Sequence, residues 1–161
     1  MRSPIKKNKM NGAHIHLLLN HVPILGSVFA LCLLLYGIFF KNRSILYAGL
    51  VTVVVTSLIG IPAFLSGEEA EHMVEPIIGI NREALEEHED MAEIAFWAML
   101  MNGVIALGTL SSGRKTGTPA QALVWLSLSG LLLVTVLMAR TGGSGGEIRH
   151  TEIHLQQSEH D

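Results

Sequence analysis

Cysteine is almost absent from this 161-residue sequence, which contains only Cys32. A single cysteine excludes a disulfide framework, a Cys-x-x-Cys-His motif for covalent haem and a zinc ribbon. The sequence also lacks a basic patch interleaved with aromatic residues, and its formal net charge of −3 argues against a nucleic-acid partner. No Ser–His–acid arrangement and no glycine-rich phosphate loop is present. These absences favour an electron carrier or an accessory subunit over a stand-alone enzyme.

Hydrophobic residues make up 49% of the chain and concentrate in four stretches, at about 22–40, 45–65, 91–110 and 120–139. Each stretch has roughly 20 residues, enough at about 1.5 Å per residue to cross a hydrocarbon core about 30 Å thick. The sequence therefore predicts an all-α integral membrane four-helix bundle, a single domain over 1–161 with both termini on one side. With their polar ends included, the predicted spans cover about 13–40, 45–65, 82–110 and 120–140, followed by a polar tail over 141–161.

Three local features are expected within this frame. Pro23 should kink the first helix directly after His21, because proline removes one backbone hydrogen bond. Pro62 and Gly67 should close the second helix. The glycine run at 142–146 should form a flexible turn, and Cys32 should be a buried apolar thiol.

Histidines and carboxylates are sorted to one face of the predicted bundle. Four crossings place the N-terminus, the loop between spans two and three and the C-terminus together. All 8 histidines and all 14 acidic residues lie toward that face, whereas the loops at 41–43 and 111–118 have neither. Histidines at the rim of a helical bundle are typical ligands for haem or metal, so this histidine face is the predicted functional site.

A b-type haem held without a covalent link is the cofactor that this arrangement favours. Bis-histidine ligation needs two imidazoles from different helices. His21 and His88 fit best, because both lie near the same membrane face and both are predicted on inward-facing stripes. The full set of candidate cofactor ligands is His21, His88, His16, His14 and His150, whereas His72, His154 and His160 are expected to be solvated.

A divalent transition metal without porphyrin is the alternative cofactor. His16, His21, His88 and His150 are chemically acceptable ligands for a mononuclear zinc or copper site. In that case the protein would be a metal-binding protein or a non-catalytic subunit of a larger membrane complex.

Two segments carry a family resemblance. Segment 16–24, HLLLNHVPI, resembles the opening helix of a bacterial four-helix membrane family catalogued as domain of unknown function 2231. Segment 145–150, GGEIRH, resembles the closing segment of that family. One departure is Leu17, where the family often has proline. The resemblance implies the four-helix fold and a functional role for the histidines, whose pattern in the family has suggested haem or redox chemistry.

The orientation follows from the basic residues. Seven Lys and Arg lie on the histidine face and four on the other, but from Met10 onward the numbers are three and four. The two short loops carry basic residues without acids, which is typical of cytoplasmic loops. We therefore expect a protein of the bacterial inner membrane whose histidine face is periplasmic. Its expected partners are the lipid bilayer, a quinol or cytochrome, and a second copy or larger complex.

Overall fold

The computed structural model describes residues 12–74, 82–114 and 116–148, most of which are helical. The helices are α1 Gly12–Leu19, α2 His21–Phe39, α3 Arg43–Val74, α4 Arg82–Ser112 and α5 Gln121–Glu147. Because α1 and α2 together form the first span, the described chain has four spans long and apolar enough to cross a membrane. The predicted all-α four-helix bundle is confirmed.

The spans pack in chain order, and α2 also packs against α5, which closes the bundle. Two apolar clusters fill it. One includes Leu34, Leu50 and Leu131, and the other, nearer the histidine face, includes Phe96 and Met138. The planes of the Phe64 and Phe96 rings stack with their centroids 4.2 Å apart.

The bundle is apolar outside and partly polar inside. Large apolar side chains such as Leu25, Met101 and Val104 are about two-thirds exposed. Hydroxyl side chains are instead buried, and those of Ser27, Ser57 and Thr109 each donate a hydrogen bond to a backbone carbonyl oxygen. This distribution is the one expected in lipid, where apolar side chains face hydrocarbon and polar groups are satisfied internally. The protein is therefore a multi-pass membrane protein.

Small residues bring the helices into close contact. Gly49, Thr56, Gly60 and Ala63 form a buried stripe along α3. A Cβ on Gly49 would lie 2.8 Å from the Leu34 side chain of α2, so only glycine fits this crossing. Close approach of this kind maximises van der Waals contact in lipid, where apolar burial does not drive helices together.

The structure bears on two proline expectations. The first span is interrupted within one turn of Pro23, as expected, but the interruption falls at Asn20, before His21 rather than after it. α3 does not close at Pro62 and Gly67 but continues to Val74. The extension is stabilised because α1 packs against it, with Gly12 in contact with Glu69.

Two other local expectations are wrong. The glycine run at 142–146 is helical, because α5 continues to Glu147. Its glycines allow close contacts: a Cβ on Gly142 would lie 3.1 Å from the Ile24 side chain. Cys32 is exposed on the outer face of α2, so its thiol faces the lipid rather than the core.

Replacing Gly37 tests the close packing of α2 and α3. A Cβ on Gly37 would lie 2.6 Å from the Leu46 backbone nitrogen, and backbone cannot move aside cheaply. We expect Gly37→Ala to lower the free energy of unfolding by about 1–3 kcal/mol, as overpacking does. The measurement is thermal unfolding in detergent.

Gly108→Ala is the matched control, because a Cβ at Gly108 would meet nothing within 4 Å. Its higher helix propensity should stabilise the protein by up to about 1 kcal/mol. Equal stabilisation by both substitutions would contradict the close contact at Gly37.

Candidate functional site

His88 lies on the polar end of α4, on the same face as the buried residues Leu85 and Met99. Its side chain is partly buried. The Nδ1 atom lies 2.9 Å from the backbone carbonyl oxygen of Thr141 and 3.4 Å from the Ser144 hydroxyl, both on α5. The inward position predicted for His88 is therefore confirmed, and the imidazole is fixed by a helix that packs beside its own.

His16 is fixed in the same way from the other side of the bundle. It lies on α1 and is partly buried. Its Nδ1 atom lies 3.0 Å from the backbone carbonyl oxygen of Ala63 on α3. One turn further along α3 is Gly67, where a Cβ would lie 3.4 Å from the His16 ring. Ala63 and Gly67 thus leave the space that the imidazole occupies.

Both hydrogen bonds specify the same tautomer. A carbonyl oxygen can only accept a hydrogen bond, so Nδ1 must carry the proton in both His16 and His88. In the neutral imidazole this leaves a lone pair on Nε2. An Nδ1–H···O=C bond is the usual second-shell arrangement of a metal-bound histidine, because it fixes the ring and increases the basicity of Nε2.

The two imidazoles lie close enough for electrostatic interaction between them. They come from two helices, α1 and α4. His16 is bordered by Gly67 of α3, and His88 is bordered by Gly145 of α5. A Cβ on Gly145 of α5 would lie 3.0 Å from the His88 ring. His16, His88, Gly67 and Gly145 together define what we call the histidine pair site. Two anchored imidazoles on separate helices at the same end of the bundle are candidate ligands for one ion or cofactor.

The other candidate histidines lie elsewhere. His14, His21 and His72 are exposed. The expectation that His21 belongs to an inward stripe is therefore wrong, because the buried face of α2 is formed by Pro23, Ser27 and Ala30 instead. A ligand role for His14 or His21 stays a prediction. His150, His154 and His160 lie outside the described residues.

A negatively charged surface borders the site. On the polar ends of α3 and α4, exposed carboxylates are Glu68, Glu69, Glu83, Glu86, Glu87, Glu89 and Asp90. The carboxyl groups of Glu71 and Glu89 form a hydrogen bond between the two helices. Such a bond requires a proton on one partner, since two carboxylates only accept.

Over the described ranges 12–74, 82–114 and 116–148, no three or more His, Cys, Asp or Glu side chains are grouped so as to hold a metal ion. Of the four histidines predicted for a mononuclear metal site, His16 and His88 are partly buried, His21 is exposed, and His150 lies outside the described residues.

Sequence reasoning missed the residues that anchor the histidines, namely Ala63 and Thr141 through their carbonyl groups, and the clearance at Gly67 and Gly145. A signal for the α5 residues was present. Buried positions at Val134, Met138 and Thr141 continue the helical spacing that leads to Gly145, but the glycine run concealed it.

Comparison of the chain with protein-family models, with curated proteins and with solved structures finds no match. The resemblance to the family of domain of unknown function 2231 stays a prediction. The described structure is a multi-pass membrane bundle in which His16 and His88 are partly buried and hydrogen-bonded to backbone carbonyl groups.

Replacing Gly145 tests how His88 is held. A Cβ there would lie 3.0 and 3.1 Å from the His88 Cε1 and Nδ1 atoms, so Gly145→Ala should displace the imidazole from the Thr141 carbonyl. In ¹⁵N NMR of labelled histidine, wild type should show His88 protonated at Nδ1, and Gly145→Ala should lose this signature.

Gly146→Ala is the matched control, since a Cβ at Gly146 would meet nothing within 4 Å. An unchanged His88 spectrum in Gly145→Ala, or a wild-type His88 protonated only at Nε2, would contradict the anchoring hydrogen bond.

Proposed function

We propose that the protein binds one non-covalent b-type haem at the histidine pair site, with His16 and His88 as axial ligands, and that it acts as an electron carrier. The observation that carries the proposal is the pair of backbone-anchored imidazoles on separate helices. Each presents the Nε2 lone pair that an axial ligand must supply.

The donor set fits haem better than it fits a bare ion. Haem iron takes four ligands from the porphyrin and needs only two from the protein, whereas structural zinc takes four from the protein. Two neutral imidazoles are the ligands that the site brings together. His88 with His21, the pair favoured by spacing along the chain, is replaced in this proposal because His21 is exposed.

Small residues border the pair. Ala63 and Gly67 border His16, and Ser144 and Gly145 border His88, so each imidazole fits closely against the neighbouring helix. A bound haem would supply a one-electron ferric–ferrous couple, and the protein would supply its ligands and an apolar setting.

The acidic surface beside the pair suits a basic electron-transfer partner. Its exposed carboxylates would attract a protein such as a cytochrome c, and that attraction should weaken as salt shortens the Debye length from about 10 Å at 0.1 M to about 3 Å at 1 M. We place the protein in the bacterial inner membrane, with a quinol or respiratory protein as its other redox partner.

Histidine substitutions test the haem proposal. His16→Ala and His88→Ala should each lower haem affinity by about 10–100-fold or more, the range that loss of even an outer-shell partner produces. Exposed His21 and His72 serve as matched controls, and their alanine variants should retain haem. The measurement is the Soret absorbance per protein after purification from haem-replete cells.

Free imidazole should restore the low-spin spectrum of His88→Ala, which separates loss of a ligand from misfolding. Loss of haem from His21→Ala with retention in His16→Ala would instead support the His21–His88 pair. A colourless wild-type protein containing zinc or copper would favour the metal-binding alternative, and a colourless, metal-free protein a non-catalytic subunit.

Orientation is tested by cysteine labelling in a Cys32→Ser background. Single cysteines at Glu83 and Ser44 would report the two faces, because both positions are exposed and lie at opposite ends of the bundle. On intact spheroplasts, a membrane-impermeant maleimide should label the Glu83→Cys variant and spare Ser44→Cys. The reverse pattern would make the histidine face cytoplasmic and contradict a periplasmic partner.

A further inference from the structure

A cavity of about 240 Å³ opens between the polar ends of α4 and α5. It is lined by Glu87, Met91, Arg140, Gly143, Ser144 and Glu147. None of these residues is used as a ligand in the proposed haem site, although Ser144 also contacts His88. The cavity therefore adjoins the histidine pair site without being part of it.

The cavity lies where the apolar stretches of α4 and α5 end. Its α4 side begins at Met91, where the apolar stretch of that helix starts, and its α5 side begins at Arg140, directly after the apolar stretch ends at Ala139. At this boundary a long basic side chain extends from the apolar stretch toward head-group phosphates.

The charges that line the cavity are mixed. The guanidinium of Arg140 offers several N–H donors in a planar fork, which suits the oxygens of a phosphate. The carboxylate of Glu87 lies in the same lining and suits an ammonium group. A purely anionic ligand would meet this like charge, whereas a zwitterion would place an opposite charge beside both Arg140 and Glu87.

The volume agrees with this chemistry. A cavity of about 240 Å³ is large enough to take a small head group such as a phosphoethanolamine unit. The side chain of Met91 is apolar and partly buried in the cavity lining, so it is suited to contact the start of an acyl chain.

We infer that this cavity binds a phosphoethanolamine group, with Arg140 on the phosphate and Glu87 on the ammonium. The group could come from phosphatidylethanolamine of the bilayer or from a soluble phosphoethanolamine ester. The inference does not depend on haem binding at the neighbouring histidines.

Native mass spectrometry of the delipidated full chain in detergent provides the test. Equal amounts of phosphatidylethanolamine, phosphatidylcholine and phosphatidylglycerol are supplied together. Wild type should retain phosphatidylethanolamine preferentially, because phosphatidylcholine has no N–H donor and phosphatidylglycerol has no cation. Arg140→Ala should lower the retained phosphatidylethanolamine about tenfold, the effect of losing a charged hydrogen bond.

Arg43→Ala is the matched control, since Arg43 is exposed at the opposite end of the bundle, and it should bind as wild type does. Glu87→Gln should remove the preference over phosphatidylcholine while leaving phosphate-dependent binding. Arg140→Lys, which keeps the charge but loses the fork, should give an intermediate loss and covers the case in which Arg140→Ala does not fold.

Competition with soluble phosphoethanolamine separates the two sources. Displacement at equal concentration would identify a soluble ester as ligand, and displacement only at large excess would identify the lipid. The same measurement on wild-type protein purified without haem should give the same preference, which keeps the inference separate from the haem proposal. Equal retention of all three lipids, preference for phosphatidylglycerol, or wild-type binding by both Arg140 variants would overturn it.

Discussion

Hydrocarbon offers a polar group no hydrogen-bond partner, and the described structure follows from that constraint. Backbone groups are satisfied within long helices, and hydroxyl side chains bond to carbonyl oxygens, as Ser57 does to Val53 and to Met99 across the α3–α4 contact. Apolar side chains cover the outside of the bundle. Because burial of apolar surface cannot drive helices together in lipid, close contact through small residues has to do so, which explains the glycine-rich crossings of α2 with α3.

The same constraint shapes the histidine pair. An imidazole turned into the bundle must satisfy its N–H, and the available acceptors are carbonyl oxygens of neighbouring helices. His16 and His88 each donate to one, and each therefore keeps a lone pair directed away from that carbonyl. Because Nδ1 donates its hydrogen to the carbonyl oxygen, Nε2 is left with the lone pair that a ligand atom needs. Burying a polar or ionisable side chain in a membrane bundle costs free energy, so two such side chains at one end of the bundle indicate a functional site.

Much of the fold could be predicted from the sequence, because apolar length and the three- and four-residue spacing are local properties. The position of His88 followed from Leu85 and Met99. The choice between His16 and His21 was not made from the sequence, because the buried stripe of α2 through Pro23 and Ser27 shows only in the structure that His21 lies off it. The glycines after Thr141 were predicted as a turn from their low helix propensity, whereas packing against α2 and α4 keeps them helical.

The most direct measurement of the central claim is the visible absorption spectrum of the full chain purified in detergent from haem-replete cells, in oxidised and reduced forms. Two histidine ligands predict a low-spin, six-coordinate haem at one equivalent per chain, with a sharpened α band on reduction. A preparation that stays colourless after titration with haem, while its helical content and the His88 tautomer are intact, would contradict the account.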